Sequence, residues 1–279
     1  WGPEYIERYR IFEKAIKSKY PTIKIVSGSG PFPEGDYFEY GMKELKKLNA
    51  EIVDEHYYKN PKWFRDNATR YDNYDRKGPK IFAGEYAAQS VAIASTNNKN
   101  NWECALSEAA FMTGLERNAD VVNLSSYAPL MAHEEAWQWT PDLLWFNNLE
   151  AYGSANYYVQ QLFATNKGTD LITITNNGKT LTGQNNLYAS VVKDSNTKEV
   201  IIKLVNTASI PQEVNLTFKG IKLATKGTKI SLTSPNLEDE NSFANPKKIS
   251  PREEPINTQK NLVKNSLSAY SVNIIKIKY

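Results

Sequence analysis

The spacing of apolar residues changes once along the chain, near Gly168, and that change restricts the fold more than any other feature. Before it, helical and strand-like segments alternate. Glu4 to Tyr20 places Tyr5, Tyr9, Phe12 and Ile16 on one helical stripe, which Pro21 ends. "IKIVSGSG" then reads as a buried strand, 37–48 as a helix, "EIVDEHYY" as a strand and 61–75 as an aromatic, partly helical connection. "KIFAGEYA" is a third strand, 102–118 an apolar-striped helix, "ADVVNLSSYAP" a fourth strand and 142–164 a last helix. Strands are expected near 23–28, 52–57, 80–84 and 121–125, parallel and covered by helices. The pattern contains four strands, whereas a closed barrel of this kind needs eight and ~250 residues.

After Gly168 the period is two. "LITIT", "LYASVVK", "EVIIKLVN", "EVNLTFK", "TKISLT" and "AYSVNIIKIKY" alternate apolar and polar residues between Asn-Gly and Lys-Gly turns. That is the pattern of an antiparallel sandwich or jelly roll. Residues 234–261 read as a long polar loop rich in Pro. The fold class expected is α/β followed by all-β, with the boundary near 165–170.

Charge and chemistry are unevenly spread. Residues 160–279 hold 16 Lys+Arg against 9 Asp+Glu, while 1–159 hold 18 against 22. The basic half raises nucleic-acid binding, but its lysines are scattered through alternating strands, as on a solvated face, and aromatics for base stacking are few. All six Trp and both His lie before residue 146. No apolar run is long enough to span a membrane. The single Cys104 excludes an internal disulfide and a cysteine-rich zinc site, and leaves the compartment open.

In parallel α/β barrels the active site lies at the carboxyl ends of the strands. Strand two ends in Asp54-Glu55-His56-Tyr57-Tyr58, strand three in Gly84-Glu85-Tyr86 and strand four in Ser125-Ser126-Tyr127. The loop that follows carries His133, Glu134, Glu135, Trp137 and Trp139. Carboxylates with His and aromatic side chains at one rim suit a sugar site: the acids do acid, base and nucleophile work, and ring faces stack on sugars. Each signal also has a structural explanation. Glu85 could be a strand-end ion pair, His56 a satisfied core histidine, Trp137 and Trp139 packing under a loop. A charge at the end of a buried strand needs a partner or a task, because burying it alone costs several kcal/mol.

Together "EIVDEHYY", "KIFAGEYAAQ", "ERNADVVNLSSYAPLMAH", "WTPDLLWFNN" and the loop "LEDENSFANPKKISP" resemble the α-L-arabinofuranosidases of glycoside hydrolase family 51 over nearly the whole chain. The resemblance implies a (β/α)8 barrel followed by a β-sandwich, of which this chain would hold a partial barrel over 1–166 and the β-sandwich over 167–279. It implies removal of terminal arabinofuranose with retention of configuration, and no metal or other cofactor. Glu85 matches the nucleophile at the end of barrel strand seven, and His56 and Tyr58 match a His-x-Tyr pair lining the sugar site. Tyr86, Tyr127, His133, Trp137 and Trp139 are further candidates for contact with the sugar.

The resemblance also implies an acid/base Glu in an Asn-Glu dipeptide just before the Trp-Gly with which this chain opens. The chain contains no Asn-Glu. A chain holding barrel strands five to eight and the sandwich, catalytically incomplete on its own, is therefore expected. It would bind an arabinofuranosyl-containing carbohydrate and neither nucleic acid nor membrane, with self-association possible through unpaired barrel edges. The alternative is a non-catalytic carbohydrate-binding protein, which has no need of a carboxylate between Gly and Tyr.

Overall fold

A computed structural model describes residues 1–259 and 261–279. The chain forms two compact units. The first comprises Trp1–Tyr58, Arg70–Ala87 and Asn118–Ala128; the second comprises Lys59–Thr69, Ala88–Arg117 and Pro129–Tyr279. Packing thus groups the segments differently from the linear division at 166/167.

The first unit is built on a four-stranded sheet in the order β1 (Val26–Gly28), β2 (Ile52–Lys59), β3 (Lys80–Ala88), β4 (Val122–Tyr127). The pairs β1–β2 and β3–β4 are parallel. Helix α1 (Pro3–Lys19) starts with Pro in its first turn beside Glu4 and carries Lys17 and Lys19 in its last, which suits the helix dipole. Its buried residues are Ile6 and Tyr9. Phe12, at the margin of that stripe, is 63% exposed, contrary to the face read from the sequence. Helix α2 (Asp36–Lys47) buries Leu45. The first strand is also shorter than the expected 23–28: Ile23 and Val26 are half-exposed, and only three residues pair with β2.

Between β3 and β4 the register runs Ala83↔Ser125 and then Tyr86↔Tyr127. Gly84 and Glu85 therefore stand opposite Ser126 alone, two residues against one, which is a β-bulge. Ser126 Oγ donates to the Gly84 carbonyl at 2.5 Å and steadies the bulge.

In the second unit, helix α3 (Pro61–Asp66) is capped by Asn60, whose side chain accepts from Trp63 N–H at 2.8 Å. Helix α4 (Trp102–Arg117) is buried without a break from Cys104 to Leu115, as expected of a helix packed on all sides. Its first amides, Trp102 and Glu103, donate to the carbonyls of Asp239 and Leu237 in the long polar loop. At its other end Glu116 accepts from Ser190 and from the fully buried Lys203, both at 2.5 Å.

The helix expected over 142–164 begins only at Ala155. Short strands β5 (Met131–His133), β6 (Leu144–Phe146) and β7 (Ala151–Gly153) precede α5 (Ala155–Thr165). Asn147 explains the break: its Oδ1 accepts from the amides of Leu149 and Glu150, closing a β6–β7 turn that competes with helix. Ser154 then caps α5 through Tyr157 N–H.

The remainder is antiparallel. Strands β8 (Asp170–Ile172), β9 (Thr175–Asn176), β10 (Lys179–Thr180), β11 (Leu187–Asp194), β12 (Glu199–Asn206), β13 (Gln212–Thr217), β14 (Lys226–Thr233), β15 (Arg252–Asn257), β16 (Leu262–Leu267) and β17 (Ser271–Lys278) follow. A six-stranded sheet runs β15-β14-β17-β12-β11-β8, and β13 pairs with β16. Side chains of both sheets, among them Ile202, Leu204, Ile275, Val214, Val263 and Leu267, share one core. The loop expected over 234–261 contains β15. Pro255 hid that strand, yet Pro is tolerated there because β15 is an edge.

Candidate active site

Strand alternation puts Asp54, His56 and Tyr58 on one face of β2, and Glu55 and Tyr57 on the other. On the first face the Tyr58 hydroxyl donates to Glu85 Oε2 at 2.7 Å. His56 Nδ1 lies 3.5 Å from the same oxygen, and His56 Nε2 lies 2.9 Å from Asp54 Oδ2. The bulge makes this possible. In a regular strand Gly84 and Glu85 would point to opposite faces, whereas here both meet side chains of the Asp54-His56-Tyr58 row. A Cβ on Gly84 would lie 2.1 Å from Asp54 Oδ1, so only glycine fits beneath that carboxylate.

Desolvation pulls the His56 pKa down. The hydrogen bond and charge of Asp54, joined by the charge of Glu85, outweigh it, and the net shift is upward. A half-buried imidazole between two carboxylates is held towards its cationic form.

The carboxylate at the end of β3 is not the buried one that the sequence led us to expect: the Glu85 side chain is 44% exposed. The buried acid is Glu55, on the opposite face. It accepts from Arg70 Nε at 3.2 Å and Nη2 at 3.1 Å, from Tyr74 at 3.0 Å, and from Tyr57. An ion pair with Arg and a ring of phenols satisfies that charge and gives it a structural role. The sequence signal was present, since "DEHYY" puts one acid on each face, but the partners Arg70, Tyr71 and Tyr74 come from a connection with no regular period.

Tyr86 and Tyr127 lie in the interior of the first unit, their rings edge-on with centroids 6.2 Å apart. They belong to its packing rather than to an exposed rim. His133, Trp137 and Trp139 belong to the second unit. The His133 ring meets Phe146 edge-on, with centroids 5.3 Å apart, and its Nδ1 accepts from Glu135 N–H. Trp137 meets Trp145 edge-on with centroids 6.3 Å apart, and Trp139 is 48% exposed. Among the described residues, no cluster of three or more His, Cys, Asp or Glu could hold a metal, and no helix is long and apolar enough to cross a membrane.

Chemically, the first-unit cluster presents a half-exposed carboxylate, steadied on one oxygen by a phenol and faced by an imidazole. That arrangement fits nucleophilic carboxylate chemistry. The model of the α-L-arabinofuranosidase C-terminal domain matches residues 84–271, and that of the α-L-arabinofuranosidase 1 domain matches 1–76. An extracellular exo-α-L-arabinofuranosidase of Streptomyces chartreusis is 53% identical over 169 residues, which are 61% of this chain and 19% of the relative. α-L-Arabinofuranosidase 1 of Arabidopsis thaliana is 34% identical over 255 residues, 89% of this chain and 35% of the relative. Among solved structures, the arabinose-bound MgGH51 α-L-arabinofuranosidase superimposes with a TM-score of 0.83 and 30% identity, covering 98% of this chain and 43% of that one. The chain thus spans only a fifth to a third of the length of these two sequence relatives. The fold read from the sequence, part of a (β/α)8 barrel followed by an antiparallel β domain, agrees with that of these neighbours. The chain belongs to the α-L-arabinofuranosidases of glycoside hydrolase family 51, of which it forms the C-terminal part.

Proposed function

We propose that this chain supplies the nucleophile side of a retaining α-L-arabinofuranosidase acting on terminal α-L-arabinofuranosyl groups. The observation that carries the proposal is the carboxylate of Glu85, held through Oε2 by Tyr58 at 2.7 Å and faced by His56 at 3.5 Å, on a bulge at the carboxyl end of a parallel strand.

In this mechanism a Glu85 oxygen forms a bond to the anomeric carbon as the bond to the leaving oxygen breaks. A carboxylic acid gives its proton to that oxygen. Water then attacks the glycosyl ester, the same acid, now carboxylate, takes the water proton, and Glu85 leaves as carboxylate. Retaining enzymes place the two carboxyl groups about 5–5.5 Å apart. We assign the acid to a residue outside these 279, since the chain lacks the Asn-Glu pair of the family's acid/base motif. Tyr58 and His56 keep Glu85 in its attacking orientation.

Aryl and natural arabinofuranosides tested on the chain alone and on a longer protein carrying it decide the matter. The longer protein is expected to turn over both. The chain alone should lose at least the 10²–10⁴-fold that general acid catalysis typically contributes. In the longer protein Glu85→Gln should abolish turnover, because an amide of nearly the same shape is a poor nucleophile. Full activity in that variant, or equal activity of the two proteins on natural substrate, would remove the assignment.

A further inference from the structure

Asp54 stands behind the nucleophile cluster with an unusual set of contacts. Its Oδ2 accepts from His56 Nε2 at 2.9 Å. Its Oδ1 is buried and has no hydrogen-bond partner among the described residues. The backbone of Gly84 lies so close to that oxygen that no side chain fits between them. A carboxylate with one oxygen buried and unpartnered and its side chain 22% exposed is stabilised by a counter-charge, and the group bonded to it that can supply one is His56.

The protonation pattern follows from what each atom can do. An ionised carboxylate only accepts hydrogen bonds, so the His56 nitrogen facing Asp54 carries a hydrogen. The other nitrogen, Nδ1, faces Glu85 Oε2 at 3.5 Å. A lone pair turned to a carboxylate oxygen is repulsive, whereas an N–H there is attractive. Both nitrogens protonated is the state in which every neighbour is complementary. Oε2 of Glu85 then has two donors beside it, the Tyr58 hydroxyl and His56 Nδ1–H, and Oε1 is the oxygen left for attack.

We propose that Asp54 is a positioning residue that keeps His56 as the imidazolium with Nδ1–H turned to Glu85, fixing Oε2 so that Oε1 faces the anomeric carbon. The proposal rests on Glu85 being the nucleophile. It also explains why the cluster needs a second acid. When Glu85 becomes the neutral glycosyl ester, His56 loses one of its two negative neighbours. Asp54 remains as its counter-charge, so the imidazolium need not release its proton in each cycle. The titratable groups facing this set are Asp54 and Tyr58 on β2, Glu85 on β3 and, near Asp54, Tyr5 on α1.

Two measurements on Asp54→Asn test the proposal. The first is the titration of His56 followed by NMR in the 279-residue chain. With only two histidines present, its signal is identified by its loss in His56→Gln. The midpoint should fall by about one unit or more, the scale of losing a neighbouring opposite charge. The second is kinetics in a longer protein carrying the chain. kcat should fall about 10- to 100-fold, the range for removing a group that orients another, with KM little altered and the alkaline limb of the pH profile moved to lower pH. Asp54→Ala, which also relieves the Gly84 contact, should shift the midpoint the same way and guards against a folding defect peculiar to Asn. An unchanged midpoint in both variants would overturn the proposal, as would a lowered midpoint with kcat within about twofold of the parent. The nucleophile assignment is read separately, on Glu85→Gln, so its failure is not confused with failure of the Asp54 role.

Discussion

Gly84 is the residue whose replacement the candidate site should tolerate least. An added methyl would meet Asp54 Oδ1 at 2.1 Å, Cγ at 2.8 Å and Oδ2 at 3.2 Å, and Asp54 is itself tied to His56. Gly84→Ala is therefore expected to destabilise the protein by about 1–3 kcal/mol, the usual cost of overpacking. It should also lower kcat by displacing the His56 pair. In an Asp54→Ala background the methyl has room, so the two changes should be strongly non-additive in thermal unfolding. Additive effects, or a Gly84→Ala protein as stable as the parent, would show that the bulge adjusts freely. The sequence placed Glu85, His56 and Tyr58 at strand ends, and only the family resemblance singled them out from the other residues there. Asp54 was visible as an acid, but its contact with Gly84 was not. That contact depends on a bulge that reverses the facing of one residue, and a bulge leaves no mark on apolar periodicity. The buried partner set of Glu55 was hidden for a related reason. Arg70, Tyr71 and Tyr74 are brought to it by an irregular connection, whose course a period of two or 3.6 cannot predict.

At the scale of elements, α4 of the second unit carries a buried acid. Glu108 of α4 is fully buried; its Oε1 accepts from Ala88 N–H and its Oε2 from Asn156 Nδ2, both at 2.8 Å. Asn156 accepts in turn from Asn100, whose Oδ1 accepts from Asp142 N–H and Trp145 Nε1–H. Burial raises the Glu108 carboxyl from its ordinary 4.5 to about 8, against the opposing pull of the Ala88 and Asn156 hydrogen bonds. Between those two values the folded protein keeps a proton that the unfolded chain has released. Stability should therefore fall as pH rises from about 5 to about 8, at about 1.4 kcal/mol per pH unit where the proton difference is complete. Asp142, raised by burial to about 6, adds to the lower part of that slope. Denaturant unfolding at several pH values should show the decline, and Glu108→Gln should flatten it whatever it does to absolute stability. The same slope in parent and variant would mean that Glu108 does not titrate in this window. Most elements were readable from periodicity: four strands before Gly168, the antiparallel set after it, and a helix starting at Trp102. The failures have local causes. Asn147 turns the chain where an apolar run suggested helix, and Pro255 disguised an edge strand.

For the whole molecule, the first unit ends its sheet on two strands that look outward. β1 and β4 each have one sheet neighbour among the described residues, and each exposes an apolar side chain, Val26 at 45% and Leu124 at 49%. Open edges of this kind recruit further strands unless charge, Pro or a covering element blunts them. β1 has Ile23 exposed just before it and no charged residue within it, and β4 reads Val-Asn-Leu-Ser-Ser-Tyr, without a charge of either sign. β1 is short and its Gly28 amide is covered by the Tyr5 hydroxyl of α1 at 2.8 Å, so β4 is the less protected edge. A parallel barrel resolves the difficulty by closing, with eight strands and no edges. We therefore expect the 279-residue chain on its own to self-associate, with an apparent mass in light scattering that rises with concentration. A longer protein that completes the barrel should not do so. Val26→Lys and Leu124→Lys should each shift the chain towards monomer, because a charge on the edge opposes strand addition, whereas Leu149→Lys should not. Leu149 is 93% exposed but lies in the turn between β6 and β7, away from both edges. A monodisperse monomer at every concentration would refute the expectation. Suppression by the Leu149 substitution as much as by the edge substitutions would show that association runs through general apolar stickiness and not through strand edges.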